Sequence, residues 1–162
     1  MSSTEKKFLA DSMLGRLAKW LRVMGFDTHY RPFYNENTIA RIVLDGFILL
    51  SRNRKRICRY PHSMLILSDA VEGQLQEMRN IGYIPSPGSK WFTRCLQCNH
   101  LLRAVHVEDA RENIPEYIYH MNIKEIRFCP SCARYYWPGS HRHRMIDQLK
   151  KWGFESEEIS PG

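Results

Sequence analysis

The sequence has no apolar run near the roughly 18 residues that a membrane-spanning helix requires. Its first residues, Met1 to Lys7, are polar and lack the apolar core of a secretory signal, so the cytoplasm is the default compartment. There is no internal repeat and no low-complexity tract, which argues against a solenoid or a disordered polar chain. Cysteine is scarce and odd in number: five residues, four of which form two Cys-x-x-Cys pairs. In a reducing compartment that spacing points to metal rather than to disulfides. What remains is a chain of 162 residues, 43% hydrophobic and 25% charged. That suits one compact domain carrying a small module.

The chain is organised around Phe8-Leu9-Ala10-Asp11. A short apolar run meets an acid, and Met13, Leu14, Leu17, Ala18, Leu21 and Met24 then recur at helical spacing up to Gly25. Phe8 to Ala10 reads as a strand with Asp11 at its carboxyl end, where open α/β sheets collect ligands and catalytic groups. Phe26 to Tyr30 reads as a second strand, and Asn35 or Asn37 as the cap of a helix through Leu44. Phe47 to Leu50 and Met64 to Leu67 have the length and composition of strands buried on both faces. The segment Val71 to Ile81 is helical, with Gly82 closing it. This alternation predicts βαβ units and a parallel sheet.

Tyr83 to Lys90, with Pro85, Pro87 and Gly88, reads as a linker. Beyond it short strands are expected at 103–107 and 126–128, and a helix over 108–122 interrupted by Pro115. A final helix over 144–152 directs Met145, Leu149 and Trp152 inward.

Cys95, Cys98, Cys129 and Cys132 give two knuckles and a closed four-thiolate shell, the donor set of a structural Zn²⁺ site. Cys58 reads as a free thiol. Asp11 and Asp69, each just after an expected strand, are candidate ligands for Mg²⁺ or Mn²⁺, and Glu36 lies in a loop able to reach the same cleft. Asp27 and Asp45 suit turns. Net charge is +7, and residues 1–84 carry 13 Lys/Arg against 8 Asp/Glu, so most of the excess lies in the half containing Asp11. Arg52, Arg54, Lys55, Arg56 and Arg59 form a dense basic loop suited to a phosphate backbone, and Arg16, Lys19 and Arg22 extend it. Arg134 to Trp137 and His141 to Arg144, including Arg142, interleave aromatics and cations, a pattern useful for stacking on single-stranded bases. Tyr136 and Trp137 also suit packing within the cysteine module.

Phe8 to Arg22 followed by Gly25-Phe26-Asp27-Thr28 resembles the opening of the Mut7-C family, PIN-like RNases with a C-terminal zinc ribbon. Cys95, Cys98-Asn99, Cys129-Pro130-Ser131-Cys132 and Tyr136-Trp137-Pro138-Gly139-Ser140-His141 resemble the ribbon. The resemblance implies a PIN-like three-layer α/β/α domain with a central parallel sheet followed by a zinc ribbon; with the linker this gives a domain over 1–84 and a zinc-ribbon module over 85–152, and the acidic, Pro-Gly-ended stretch 153–162 reads as a tail. It further implies a metal-dependent endoribonuclease acting on single-stranded or structured RNA. In that site Asp11 and Asp69 would hold Mg²⁺ or Mn²⁺, with Glu36 assisting and Asn53 orienting the metal-bound water. One departure stands out: the family's Thr-Arg-Asp run is Ser51-Arg52-Asn53 here. Asn53 keeps an oxygen but loses a charge, which lowers divalent-ion affinity. The alternative is therefore an RNA-binding protein with a weakened or inactive centre, such as an adaptor on ribosomal or other structured RNA.

Overall fold

The computed structural model describes residues 5–105 and 107–157. The first half alternates strand and helix: β1 (Phe8–Ala10), a 3-10 turn (Ser12–Leu14), α1 (Gly15–Val23), β2 (Thr28–Tyr30), α2 (Glu36–Leu44), β3 (Ile48–Ser51), α3 (Arg54–Ile57), β4 (Ser63–Leu65) and α4 (Val71–Asn80). The strands form one parallel sheet in the order β2-β1-β3-β4. Side chains alternate across a strand, so each one feeds both layers. Phe8, Ala10 and Leu50 join Leu17 and Leu21 of α1 and Leu75 and Met78 of α4 in one core. Leu9 and Leu49 face the other way, against Ile39 and Val43 of α2. β1 and β3 are the two central strands, which explains their unbroken apolar runs. β4 is an edge strand and only half-buried, not enclosed on both faces as its composition suggests.

The helix after β1 starts with a 3-10 turn, which rotates Met13 out of the expected apolar stripe and leaves it 75% exposed. Gly25 ends that segment at φ +92°, in the left-handed region that favours glycine. A Cβ there would collide with the Lys90 carbonyl oxygen. The basic loop contains a short helix, α3, that the charge run concealed. Asn53 caps it by accepting from the Arg56 amide.

The second half holds β5 (Arg103–Ala104), α5 (Val107–Arg111), α6 (Glu116–Asn122), β6 (Arg127–Phe128), β7 (Tyr135–Tyr136) and α7 (Ser140–Lys151). β5, β6 and β7 form an antiparallel sheet, and Ala110, Ile114, Ile118 and Ile126 give this module its own small core. The helix break falls at Pro115, where the missing N–H interrupts the ladder. α7 departs from the expected grouping. Met145 and Leu149 pack in the α1–α4 core, and Trp152 meets Trp20 edge-on at 5.0 Å between ring centroids. The last helix therefore completes the α/β layer instead of closing the ribbon. The expected tail also begins as packed chain: Phe154 is buried in the same core, and the Glu157 amide donates to the Gly88 carbonyl. Residues 158–162 lie outside the described residues. Among the described residues no helix is long and apolar enough to cross a membrane.

The two halves are joined at the start of β2, an edge strand. Arg22 is 7% exposed; its Nε donates to the Thr28 carbonyl at 3.1 Å, and its Nη1 to the Leu96 and Gln97 carbonyls at 3.0 and 3.2 Å. Asn99 completes the seam: its Oδ1 accepts from the Thr28 amide at 2.9 Å, and its Nδ2 donates to Asp27 at 2.6 Å. A cation shared by three carbonyls leaves them unpaired when removed. We expect Arg22→Ala to cost about 3 kcal/mol in urea unfolding, against a change within about 0.5 kcal/mol for the exposed neighbour Lys19→Ala.

Candidate functional site

The chain leaves β1 to β2 on one side and returns to β3 on the other, so the strand order reverses at β1. A crevice outside the carboxyl ends is the binding place that such a reversal creates. Asp11 follows β1 directly and is only 5% exposed. Its Oδ1 accepts from the Ser12 amide at 2.8 Å, and its Oδ2 accepts from the hydroxyl of Ser51, the last residue of β3, at 2.5 Å. The compensating charge comes from Arg56, whose Nη1 donates to Asp11 Oδ1 at 2.8 Å.

The same guanidinium reaches a second acid. Glu36 opens α2, positioned by the Asn35 side chain, which accepts from the Thr38 amide. Arg56 Nε and Nη2 donate to Glu36 Oε1 at 3.1 and 2.9 Å, and the Tyr60 hydroxyl donates to Oε2 at 2.7 Å. Arg59 lies 3.5 Å from the same carboxylate. The Tyr60 hydrogen bond holds the Glu36 carboxyl below its usual range; partial desolvation opposes this and Arg56 reinforces it.

Asp69 stands apart from this junction. Its side chain is 90% exposed and pairs with Arg52 at 2.6 Å. Among the described residues, only the cysteines bring three or more His, Cys, Asp or Glu ligand atoms together. Asp11, Glu36 and Asp69 thus do not offer three oxygens to one ion. Arg56 fills the space between the two acids that do converge, and the side chain of Asn53 is occupied as a helix cap. The arrangement does not fit Mg²⁺ or Mn²⁺ as it stands.

Arg16, Lys19, Arg54, Lys55, Arg59 and Arg144 are exposed. Arg142 is not: its guanidinium lies over the Phe92 ring, 4.8 Å from the centroid, and burial lowers its pKa.

The cysteine site is built from two similar turns. The Asn99 amide donates to the Cys95 carbonyl and the Ala133 amide to the Cys129 carbonyl, with Asn99 and Ala133 at φ 70° and 62°. All four Sγ atoms lie within 4.8 Å of one another, with Cys95 to Cys132 at 3.6 Å and Cys98 to Cys129 at 3.2 Å. Those spacings far exceed a disulfide bond and approach the roughly 3.8 Å edge of a tetrahedron with Zn–S near 2.3 Å. The four thiols fit a structural zinc ion. Tyr136 adds a fifth partner: its hydroxyl lies 3.1 Å from Cys95 Sγ and accepts from the Leu96 amide. Burial pushes the Cys95 thiol up, but hydrogen bonds from Tyr136 and the knuckle amides outweigh it and bring it down to about 6.

Ser51, Tyr60 and the clamping role of Arg56 are the site features that sequence reasoning missed. Ser51 was within reach, because it directly follows the apolar run Phe47 to Leu50 that reads as a strand. Tyr60 carried no signal, because its partner lies 24 positions away.

A buried acid thus lies at the reversal point of a parallel sheet, beside a cation-rich edge, and a four-thiolate cluster holds the second half. Comparison with known families sharpens this: the chain matches the Mut7-C RNAse domain over residues 6–149 and belongs to that family. The match supports a nuclease-type function on RNA. No curated protein and no solved structure matches the chain.

Two outcomes are expected. Tyr136→Phe removes a donor to a ligating sulfur and should weaken zinc binding about tenfold in competition with a chromophoric chelator. Tyr60→Phe should raise the Glu36 pKa, read by carbon NMR of the carboxyl. In the native protein that depressed value means the Tyr60–Glu36–Arg56 contribution is present above the unfolded-state glutamate pKa. It is lost as pH falls through the folded one.

Proposed function

We propose that this member of the RNase family binds RNA along the carboxyl edge of its sheet, with hydrolysis restrained because Arg56 occupies the acid pair. One observation carries the reading: a single guanidinium is hydrogen-bonded to both Asp11 and Glu36. Its charge cancels one of theirs and so weakens the repulsion of phosphate, while exposed Arg16, Arg54, Lys55 and Arg59 attract it. Asn53 favours the same conclusion, since an aspartate there would add the negative charge that draws in a divalent ion.

A second reading, a metal-dependent endoribonuclease, rests on the family match and on the convergence of two carboxylates at the switch point. It requires Arg56 to leave both acids. Labelled single-stranded RNA, offered with Mg²⁺ or Mn²⁺ and without either, separates the two. We expect salt-sensitive binding without cleavage by the native protein, and affinity within about twofold in Asp11→Asn, since Asp11 is buried and already paired. The double variant Arg56→Ala/Asn53→Asp should gain Mn²⁺-dependent cleavage. Native cleavage that disappears in Asp11→Asn would establish the endoribonuclease instead.

A further inference from the structure

We propose that Phe33 is a nucleobase-stacking platform beside the Asp11–Glu36 pair, taking one unpaired base of the RNA on its open face. The inference rests on the RNA reading above and adds a contact residue to it. Phe33 is 78% exposed although the next residue, Tyr34, is buried in the second core and anchors the loop. Met13 is 75% exposed on the adjoining segment. Each flanks one of the acids that share Arg56: Phe33 lies three residues before Glu36, and Met13 two residues after Asp11.

The topology brings the two segments together. Ala10 and Tyr30 are register partners at the ends of adjacent parallel strands, so the chain leaves the sheet twice at the same edge. The Tyr30 hydroxyl then donates to the Ser12 carbonyl at 3.0 Å. Gly15 permits that approach, because a Cβ there would sit 2.8 Å from the same hydroxyl. Exposed Arg31 and Arg16 stand beside Phe33 and Met13 in sequence, and Arg59 borders Glu36.

Cations next to an open aromatic face are what a single strand needs, with phosphates on the charges and a base on the ring. A duplex keeps its base faces stacked on one another and has none to offer. The aromatics of the Arg134 to Trp137 run do not compete for this role. Tyr136 is engaged at Cys95, and Tyr135 and Trp137 pack on the ribbon core.

The test is fluorescence anisotropy with a fluorescein-labelled oligouridine, alone or annealed to oligoadenosine, in buffer without added divalent ions. Compared are the native protein, Phe33→Ala and Phe33→Trp. Phe33→Ala should weaken single-strand binding roughly 5- to 100-fold and leave duplex binding within about twofold. Phe33→Trp should keep the native affinity, with the added indole emission quenched by the single strand. Phe33→Ala binding the single strand as tightly as the native protein, or losing both RNAs equally, overturns the platform while leaving RNA binding intact. A native protein that binds neither RNA overturns the RNA reading itself.

Discussion

An ionised carboxylate taken out of water needs its charge compensated nearby, and the Asp11 carboxylate obtains this from Arg56. The choice of arginine has consequences that a lysine would not have. One nitrogen serves Asp11, and the planar fork leaves two more N–H groups aimed elsewhere, which Glu36 accepts. A single side chain thereby ties the end of β1 and the start of α2 to the short helix after β3. Asn53 starts that helix, and as a cap it is equivalent to aspartate. Capping therefore does not explain why an amide stands there. Charge bears on it: Asp11, Glu36 and Arg56 sum to minus one, and Arg59, 3.5 Å from Glu36, faces the remainder. A third carboxylate would bring the sum to minus two and shift the balance toward a divalent cation.

The ribbon is more than an appended module, because its first knuckle supplies partners to the edge of the sheet. Leu96 and Gln97, between the first two cysteines, offer their carbonyls to Arg22, and Asn99, just after them, meets the Thr28 amide. A metal ion held by the four cysteines would order this knuckle and so also fix acceptors for a buried cation of α1. Folding of the ribbon and anchoring of β2 are thus linked through hydrogen bonds, with no need for movement between the halves.

Much of the fold was legible because its signals are local. The order of strands and helices followed from apolar runs and their periodicity, and the cluster of four cysteines from spacing alone. What stayed hidden depended on distant partners or on finer backbone geometry. Met13 matched the helical stripe, yet a 3-10 turn sent it outward. The basic run from Arg52 to Arg56 read as a loop because its charges masked four helical residues and an Asn cap. Asp69 and Asp11 had the same sequence context, an acid after an apolar strand. The structure distinguishes them twice: β1 is central, lies at the reversal and ends directly before Asp11, whereas β4 is an edge and ends at Leu65, four residues short of Asp69. α7 was legible as an amphipathic helix, but nothing in its pattern says which of two cores it joins.

The positive charge of the first half is also less available than its total suggests. Arg22 is spent inside the seam, Arg56 on two acids, Arg52 on Asp69, and Arg79 on the Gly153 carbonyl and the Phe154 ring. The exposed remainder is not scattered. Arg16 lies at the start of α1, Arg31 just after β2, and Arg54 and Lys55 at the start of α3. In a parallel sheet every helix that follows a strand begins at the carboxyl edge, so residues in these positions necessarily collect on the side where Asp11 sits. The N-termini of α1 and α2 add their partial positive charge there. Uncompensated acids at that edge would oppose an incoming polyanion. With Arg56 between Asp11 and Glu36 one of the two charges is cancelled, and under the proposed function the contact that closes the acid pair also lowers the barrier to an RNA backbone.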